Sequence, residues 1–285
     1  MLTRRLMLHS KGNTLIWNMP QKTGNGANIV YPGSKATVKD CIFRGNSATG
    51  LCAAIYLCDS NANAGETPEL TVLNSEFSGN TTNGRGGAIG ARATASVGVK
   101  LIVANSTFFG NTCKSTGSAI ALWGAADKPV TADIYSCTIT GNTTTRATTT
   151  AGGAIGQETK GVTVNIYNSI LSGNSWSANA PAANLYTVDA TTAKAYKSIN
   201  ASAVYGADGA VDSGAPAFAP LAMLSKKTQE GKSTVFQLVG DNNPAQTYGY
   251  DAASLKALNA SLQDVLGKDQ WGNTRSASKM GASVE

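Results

Sequence analysis

The chain has 285 residues, of which 42% are hydrophobic and 14% charged, and its 23 Lys and Arg against 17 Asp and Glu give a formal net charge of +6. The charged fraction is well below the roughly 25% of an ordinary soluble domain, and abundant Gly, Thr, Ala, Ser and Asn favour narrow turns and stacked strands over long amphipathic helices. The positive charge favours anionic partners such as acidic glycans, lipid headgroups or nucleic acid, of which nucleic acid is the least expected because the aromatic content is low and no dense Lys/Arg cluster is present.

The first eleven residues predict no element of the fold. Arg4 and Arg5, followed by apolar residues 6–8, are similar to the start of a signal peptide, but the apolar part is too short. Either the native N-terminus lies upstream of this sequence or export is not encoded in it. No apolar run approaches the roughly 20 residues of a membrane-spanning helix. His9 precedes the repeats described next, so a Ser/His/Asp triad is not expected.

An internal repeat organises most of the chain. Its clearest copy is L-T-V-L-N-S-E-F-S-G-N-T-T-N-G-R-G-G-A-I at residues 70–89, in which an F-x-G-N unit precedes a G-G-A-I unit. A degenerate first copy occupies residues 11–35. A fixed period of this length is the signature of a stacked repeat protein. The Asn of the F-x-G-N unit recurs at spacings of 34, 31, 31 and 32 residues, at Asn46, Asn80, Asn111, Asn142 and Asn174.

Each copy predicts one coil of an all-β, right-handed parallel β-helix, a solenoid of about six coils. Alternating β-branched residues before the F-x-G-N unit indicate a strand with one buried face, and the Asn/Asp-Ser/Cys pair that follows bends the chain. The G-G-A-I unit indicates another strand, and we expect three short sheets. If coils stack about 4.8 Å apart, the five asparagines form an internal ladder in which each amide bonds to the next one and to turn backbone.

The five cysteines contain no C-x-x-C pair. Cys41 and Cys137 occupy a column in which other copies have serine, so small buried thiols are expected. A disulfide between Cys52 and Cys58 is an open alternative. Neither the cysteine spacing nor the single histidine predicts a zinc site, and we assign no metal and no cofactor.

Segments of variable length follow the G-G-A-I unit, at residues 56–68, 90–98 and 121–129, whereas the fourth copy carries its extra residues at 143–151. Loops that vary on one face of a solenoid are the usual place for binding, although plain solvated connections explain them equally well. The alternative for the basic and aromatic residues near them is solubility with one partly buried ring. The candidate ligand-contacting residues, which we expect to be exposed, are Arg85, Arg92, Lys114, Trp123 and Arg146.

The rhythm weakens after Tyr186. We therefore divide the chain into solenoid coils at residues 1–186 and a final coil with a C-terminal capping segment at residues 187–285. Tyr196, Ser198, Ile199 and Val204 fit the final coil.

A helix is predicted at residues 251–267, because Leu255, Leu258, Leu262, Val265 and Leu266 share one face and Gly267 is a stop signal. We expect this helix to cover the open end of the solenoid. Asp269 and Arg275 are expected to form a structural ion pair or a loop clasp, not a reactive site.

Two resemblances extend these predictions. The paired F-x-G-N and G-G-A-I units resemble the repeats of chlamydial polymorphic outer membrane proteins and of related β-helix surface proteins of Bacteroidetes. The sequences at residues 217–221, 236–245 and 269–275, followed by Gly281, resemble the ending of the choice-of-anchor Q family, although Asn243 stands where that family has Ser. The resemblances imply an extracellular or bacterial cell-surface location.

An enzyme is the main alternative to a binding protein, since parallel β-helices often cut acidic polysaccharides. Glycoside hydrolysis needs two carboxylates about 5 to 9 Å apart, but Glu76 and Asp133 fall two coils apart and out of register. Lys35, Glu69 and Lys100 share a column, which predicts a surface charge ladder before it predicts the base of a lyase. We assign no catalytic residue.

The sequence thus predicts a non-catalytic, monomeric, adhesin-like module that contacts acidic glycans or other host or matrix surface molecules. A polysaccharide lyase or glycoside hydrolase on the same scaffold is the alternative, and a pure spacer is a third hypothesis.

Overall fold

The structure is a computed structural model and describes residues 5–9, 15–17, 28–30, 35–59, 67–94, 97–147, 152–177, 183–275 and 278–282, the first three ranges as backbone strands. Four parallel sheets, which we name A to D in chain order, surround one apolar interior, and each coil contributes one strand to each sheet. The predicted parallel β-solenoid is confirmed. The coil has four sheets and not three, because the residues after each ladder asparagine pair as a separate two-residue sheet.

The strands are numbered in chain order. Sheet A contains β1 Arg5–His9, β4 Lys35–Lys39, β8 Glu69–Leu73, β12 Val99–Ala104, β16 Val130–Tyr135, β20 Val162–Tyr167 and β24 Ala193–Tyr196. Sheet B contains β2 Leu15–Trp17, β5 Cys41–Arg44, β9 Glu76–Ser78, β13 Thr107–Phe109, β17 Thr138–Thr140, β21 Ile170–Leu171, β25 Ile199–Asn200 and the antiparallel β26 Ala203–Val204.

Sheet C contains β6 Ser47–Ala48, β10 Thr81–Thr82, β14 Thr112–Cys113, β18 Thr143–Thr144 and β22 Ser175–Trp176. Sheet D contains β3 Asn28–Val30, β7 Ile55–Cys58, β11 Ile89–Ala93, β15 Ile120–Gly124, β19 Ile155–Gln157 and β23 Leu185–Thr187. The strands of sheet D therefore extend into the segments that the sequence predicted to be loops, and the connections that follow them are shorter than expected.

Five coils carry a strand in every sheet, and we number them 1 to 5 from β4 onward. Strands β1 to β3 add a partial coil before them, and β24 and β25 add one after them, which places the predicted first and final copies in the solenoid. Residues 5–9, for which the sequence predicted no element, pair with β4 in sheet A. His9 lies opposite Lys39 and is thus part of the array, not outside it as predicted.

Left-handed backbone positions make three of the corners in coils 1 to 4 and two of the described corners in coil 5. Asp, Asn and Ser tolerate this conformation better than most residues, and Gly adopts it without a steric penalty. At the corner between sheets A and B, φ lies between 49° and 56° at Asp40, Asn74, Asn105, Ser136 and Asn168. Glycine occupies the corner between sheets B and C at Gly45, Gly79, Gly110, Gly141 and Gly173. At the corner between sheets C and D, Cys52 replaces the glycine found at Gly86, Gly117 and Gly153.

Equivalent side chains stack along the interior. The rings of Phe43, Phe77 and Phe108 follow one another at 4.8 Å between centroids and are parallel within 4°. All three are buried, and each contributes roughly 1.5 to 3 kcal/mol through the apolar surface that it removes from water. Ile139 continues this column in coil 4.

The ladder asparagines form a continuous chain of hydrogen bonds beside this column. Asn80 Nδ2 donates to Asn111 Oδ1 at 2.8 Å and to the carbonyl of Phe43 at 3.0 Å. The same Asn111 oxygen accepts the backbone N–H of Asn80 at 3.0 Å. Equivalent side-chain bonds connect Asn46 to Asn80, Asn111 to Asn142, Asn142 to Asn174 and Asn174 to Asn184.

A second column of hydroxyls and thiols lies just after the corner between sheets A and B. Ser75 Oγ donates to the carbonyl of Leu73 at 2.7 Å and accepts from the backbone N–H of Cys41. Cys137 takes the same place in coil 4, where burial raises the pKa of its thiol to about 12. All five cysteines are buried free thiols, as the column predicted for Cys41 and Cys137, and the alternative Cys52–Cys58 disulfide is absent.

The chain turns back on itself after the last parallel strand. Strand β26 pairs antiparallel with β25, and Tyr205 packs against the interior core. A short helix, α1 (Pro220–Met223), then leads into a hairpin of β27 (Leu224–Lys227) and β28 (Val235–Leu238). This antiparallel return covers the end of the solenoid, which the sequence predicted to be covered by the helix at residues 251–267.

The predicted helix at residues 251–267 consists of α2 (Ala252–Ala257), a 3-10 helix (Ala260–Leu262) and α3 (Gln263–Leu266). Asn259 interrupts it, because its side chain caps the 3-10 helix by accepting from Ser261 N–H. The shared leucine face packs on outward-facing apolar residues of sheet A and its corner, not on the open end as predicted. These residues are Leu73, Ile102, Ala104 and Tyr135.

Residues 219–275 and 278–282, which we call the C-terminal strap, run along the outside of sheets A and B. Asn105 Nδ2 donates to the carbonyls of Val265 and Lys268 at 2.7 and 2.8 Å. Arg275 donates to Asn105 Oδ1 at 2.9 Å and also to the carbonyls of Lys268 and Gly281. Asp269 accepts from Trp271 N–H within its own loop. Asp269 and Arg275 therefore form a loop clasp without a direct ion pair.

Candidate functional site

The outer face of sheet D carries an aromatic pair flanked by arginine. The rings of Tyr56 and Trp123 stack with centroids 6.1 Å apart, although they belong to coils 1 and 3. Arg92 belongs to the intervening coil 2, where it is paired with Trp123 on one side and Cys58 on the other. Its Nη1 is 3.5 Å from the Tyr56 hydroxyl and its Nε donates to Thr94 Oγ1 at 2.7 Å. We call Tyr56, Arg85, Arg92 and Trp123 the sheet D cluster.

Trp123 is buried, with 8% of its surface exposed, although the sequence predicted an exposed ring. The reason is Gly90 of the neighbouring coil, whose missing side chain leaves room for the ring. A Cβ on Gly90 would lie 3.3 Å from two Trp123 ring atoms and 2.1 Å from Cys52 Sγ. The ring is therefore the floor of the cluster and not a projecting contact.

Arg85 completes the cluster from the corner between sheets C and D. Its guanidinium carbon lies 5.7 Å from the Trp123 ring centroid, and its Nε donates to Glu158 Oε2 at 2.5 Å. The Arg85 side chain is 39% exposed and that of Glu158 is 9% exposed. Glu158 balances the charge of Arg85, whereas Arg92 takes part in none of the salt bridges among the described residues.

Sequence reasoning missed Tyr56 and Glu158 as members of this cluster. Glu158 directly follows Gln157, which pairs with Leu122, so it occupies the register position of Trp123 one coil later. Tyr56 follows the isoleucine of its own copy of the repeat, and this places it on the outward face. The repeat alignment shows the positions of both residues, but neither was chosen as a contact residue because neither side chain is basic.

The other two predicted residues lie apart from the aromatic pair. Lys114 is exposed at the end of its sheet C strand. Arg146 occupies the next coil, where its Nη1 donates to Ser115 Oγ at 3.1 Å and its carbonyl accepts from Trp176 Nε1 at 3.0 Å. The structure thus brings Arg85, Arg92 and Trp123 together and leaves Lys114 and Arg146 as a separate group on sheet C.

The carboxylate that the sequence considered for catalysis supports the fold. Glu76 is fully buried and accepts from Arg44 Nη2 at 2.8 Å, from Ser78 Oγ at 2.5 Å and from the backbone N–H of Thr234 at 2.6 Å. Its oxygens are thus engaged by the protein itself.

The surface charge ladder predicted for sheet A is confirmed. Glu69 Oε2 lies 3.9 Å from Lys35 Nζ and 3.8 Å from Lys100 Nζ, in neighbouring strands. Exposed pairs of this kind contribute about 0 to 1 kcal/mol each.

Among the described residues, no group of three or more His, Cys, Asp and Glu side chains could hold a metal ion. No helix in the same part of the chain combines the length and the apolar character needed to cross a membrane.

The stacked coils, the asparagine ladder and the four parallel sheets define a parallel β-solenoid repeat protein. Its repeat is similar to the Chlamydia polymorphic membrane protein repeat, whose family model matches residues 74–92. The match covers the corner between sheets A and B, the ladder residue Asn80 and most of strand β11 in coil 2. No curated protein and no solved structure matches the chain.

Proposed function

We propose that this protein is a non-catalytic, adhesin-like solenoid at the cell surface or outside the cell, which contacts acidic glycans or other host or matrix surface molecules through the sheet D cluster. The location is supported by the similarity to Chlamydia polymorphic membrane protein repeats, a family named for its membrane proteins. The observation that carries the binding proposal is the aromatic floor of Tyr56 and Trp123 with Arg92 beside it.

The cluster combines the two features that recognition of an acidic sugar requires. Guanidinium groups present planar donors that match a carboxylate or sulfate, and stacked aromatic rings give a rigid apolar surface. Arg92 Nη1 is held near the Tyr56 hydroxyl, which restricts the side chain before a ligand arrives. A restricted side chain loses less conformational entropy on binding.

Binding should be tested with the purified chain on uronic-acid and sulfated glycans, with neutral glycans for comparison. Arg92→Gln is the informative variant, because it removes an accessible charge and leaves the buried floor intact. Lys194→Gln is the matched control, since Lys194 is exposed on sheet A. We expect R92Q to weaken binding about tenfold and K194Q to change it little, with both affinities falling as salt rises.

Arg85 is unsuitable for this comparison. Its loss would leave the nearly buried Glu158 carboxylate without its cation, and that would destabilise the fold for reasons unrelated to a ligand. The same glycan incubations should be assayed for new unsaturated or reducing ends. Product release would replace the adhesin proposal with a polysaccharide lyase or hydrolase, and the absence of any binding would favour a spacer.

A further inference from the structure

A second cationic surface lies on the outer side of sheet B, where the β27–β28 hairpin meets the loop at residues 269–275. The Nζ atoms of Lys227 and Lys232 lie 5.2 and 5.0 Å from the centroid of the Trp271 ring. Lys226 Nζ lies 4.6 Å from the Phe109 ring centroid. We call Lys226, Lys227, Lys232 and Trp271 the lysine patch. None of these four residues was a predicted contact residue.

The loop that carries the patch is fixed to the solenoid at several points. Trp271 Nε1 donates to the carbonyl of Ser233 at 2.8 Å, and Gln270 Nε2 donates to Ser233 Oγ at 2.9 Å. The next residue, Thr234, donates its backbone N–H to the buried Glu76 carboxylate. Ser233 and Thr234 are both buried. The patch is therefore built on a fixed backbone, and anion binding there requires little ordering of the loop.

The local charge balance is positive. Lys226 and Lys232 are exposed and take part in none of the salt bridges among the described residues. The nearest acids in sequence are Glu230, which is exposed in the same loop as Lys232, and Asp269, which is buried and lies close enough to Arg275 for the two charges to interact. Glu76 adds no free negative charge, because Arg44 pairs with both of its oxygens. Lys227 and Lys232 thus adjoin one ring and Lys226 adjoins the neighbouring Phe109, while Glu230 is the exposed carboxylate of the hairpin loop.

We propose that the lysine patch binds a phosphate group carried by a sugar or by a lipid headgroup. An ammonium group is a compact point charge with three donors, and several of them around one site match the oxygens of a phosphate. The guanidinium of Arg44, which could recognise a carboxylate through two parallel bonds, is already engaged by Glu76. The patch therefore favours a multiply charged anion over a single carboxylate.

This site is independent of the proposed function. Sheet B is separated from sheet D by sheet C in one direction around the coil and by sheet A in the other. A ligand on the lysine patch and a glycan on the sheet D cluster would therefore occupy different sides of the solenoid, and variants on one side test that side alone.

Calorimetric titration with glucose 6-phosphate, with glucose as the uncharged comparison, tests the sugar source. Sedimentation with phosphatidylcholine vesicles, with and without phosphatidylglycerol, tests the lipid source. We expect binding in at least one arm at low salt, and a loss of roughly tenfold or more in affinity when Lys226, Lys227 and Lys232 are all changed to Gln. Glu230→Gln should strengthen binding, because it removes the loop carboxylate.

The matched control changes Lys160, Lys194 and Lys256 to Gln. These three lysines are exposed, lie away from the hairpin and give the same change in net charge. The control should keep the affinity of the unmodified chain within about twofold at the same salt concentration. Equal losses in the two triple variants, or no binding in either arm, would overturn the proposal. Binding that is insensitive to Arg92→Gln would separate this site from the sheet D cluster.

Discussion

Each ladder amide satisfies several backbone and side-chain groups at once. The Oδ1 of Asn111 accepts two bonds from Asn80, and its Nδ2 donates both to Asn142 Oδ1 and to the carbonyl of Phe77. Only a carboxamide offers two donors and a double acceptor in a side chain this short. The chemistry of one residue type therefore explains why asparagine recurs at this position.

Asn111→Leu should lower the free energy of unfolding by about 3 kcal/mol or more, because two Asn80 donors and the Phe77 carbonyl would be buried without partners. Urea denaturation followed by circular dichroism measures the change. Asn174→Leu is the comparison: Asn174 is partly exposed, so water can replace its bonds and the loss should be smaller. Equal losses at the two positions would contradict the ladder as the cause.

The thiol of Cys137 makes stability depend on alkaline pH. Burial raises its pKa from 9.0 in the unfolded chain to about 12 in the fold. The folded state therefore keeps its proton where the unfolded state loses it, and this contribution is complete below about pH 9 and is lost as the pH rises through about 12. Serine fits the same column, as Ser75 and Ser169 show.

Cys137→Ser should accordingly weaken the alkaline loss of stability. Between about pH 8 and about pH 10.5, the unfolding free energy of the unmodified chain should fall by roughly 2 kcal/mol more than that of the variant. The pKa of Arg275 is lowered to about 10 by burial, and this acts in the opposite direction above that pH in both proteins. The charge interaction between Arg275 and Cys137 is present only in the unmodified chain. If the unfolding free energies of the two proteins changed equally with pH, the Cys137 thiol would not be the cause of the alkaline loss of stability.

At the scale of elements, the strap is attached to the solenoid by a few polar clasps between apolar contacts. Arg275 is the most connected of them, since it reaches Asn105, Lys268 and Gly281. Its buried guanidinium lies close enough to Asp269 for the carboxylate to stabilise the charge. The helices of the strap bury Leu255, Leu262 and Leu266 on sheet A.

Arg275→Met should loosen the strap and leave the coils intact. Three oxygen acceptors would lose their donor, which should reduce the local opening free energy at residues 251–275 by about 3 kcal/mol. Hydrogen exchange followed by mass spectrometry measures this region against strand β12. Arg146→Gln serves as the control, because Arg146 is half-buried on the sheet C side and bonds to Ser115, not to the strap. Faster exchange throughout the solenoid would show that the strap is not a separate unit.

At the scale of the whole molecule, the repeat period predicted the solenoid, because stacking forces equivalent residues into register. Phe77, Asn80 and Ile89 each pair or bond with their copies in neighbouring coils as the alignment predicts. The exposure of a side chain was harder to predict, because it depends on the size of the side chains in the neighbouring coil. The empty space at Gly90, which admits the Trp123 ring, is not visible within either copy alone.

The strap could not be placed from sequence for a related reason. Its leucine face is apparent in the sequence, but the surface that it covers consists of Leu73, Ile102 and Tyr135, from three different copies. Leu73, Ala104 and Tyr135 occupy one register position in successive coils, so the repeat alignment contains a recurring outward apolar column there. The alignment does not show which part of the chain covers this column, because the leucine face lies outside the repeats.

The strap also constrains the number of coils beneath it. It forms hydrogen bonds with coil 2 at Glu76, coil 3 at Thr107, coil 4 at Thr138 and coil 5 at Asn168, so one irregular segment spans four successive coils. Gene duplication that inserted a coil between Glu76 and Asn168 would move these contact residues apart by about 4.8 Å, whereas a coil added ahead of Lys35 would leave their spacing unchanged. The addition of coils during evolution should therefore have been easier at the amino-terminal end, while the number of coils under the strap stayed constant.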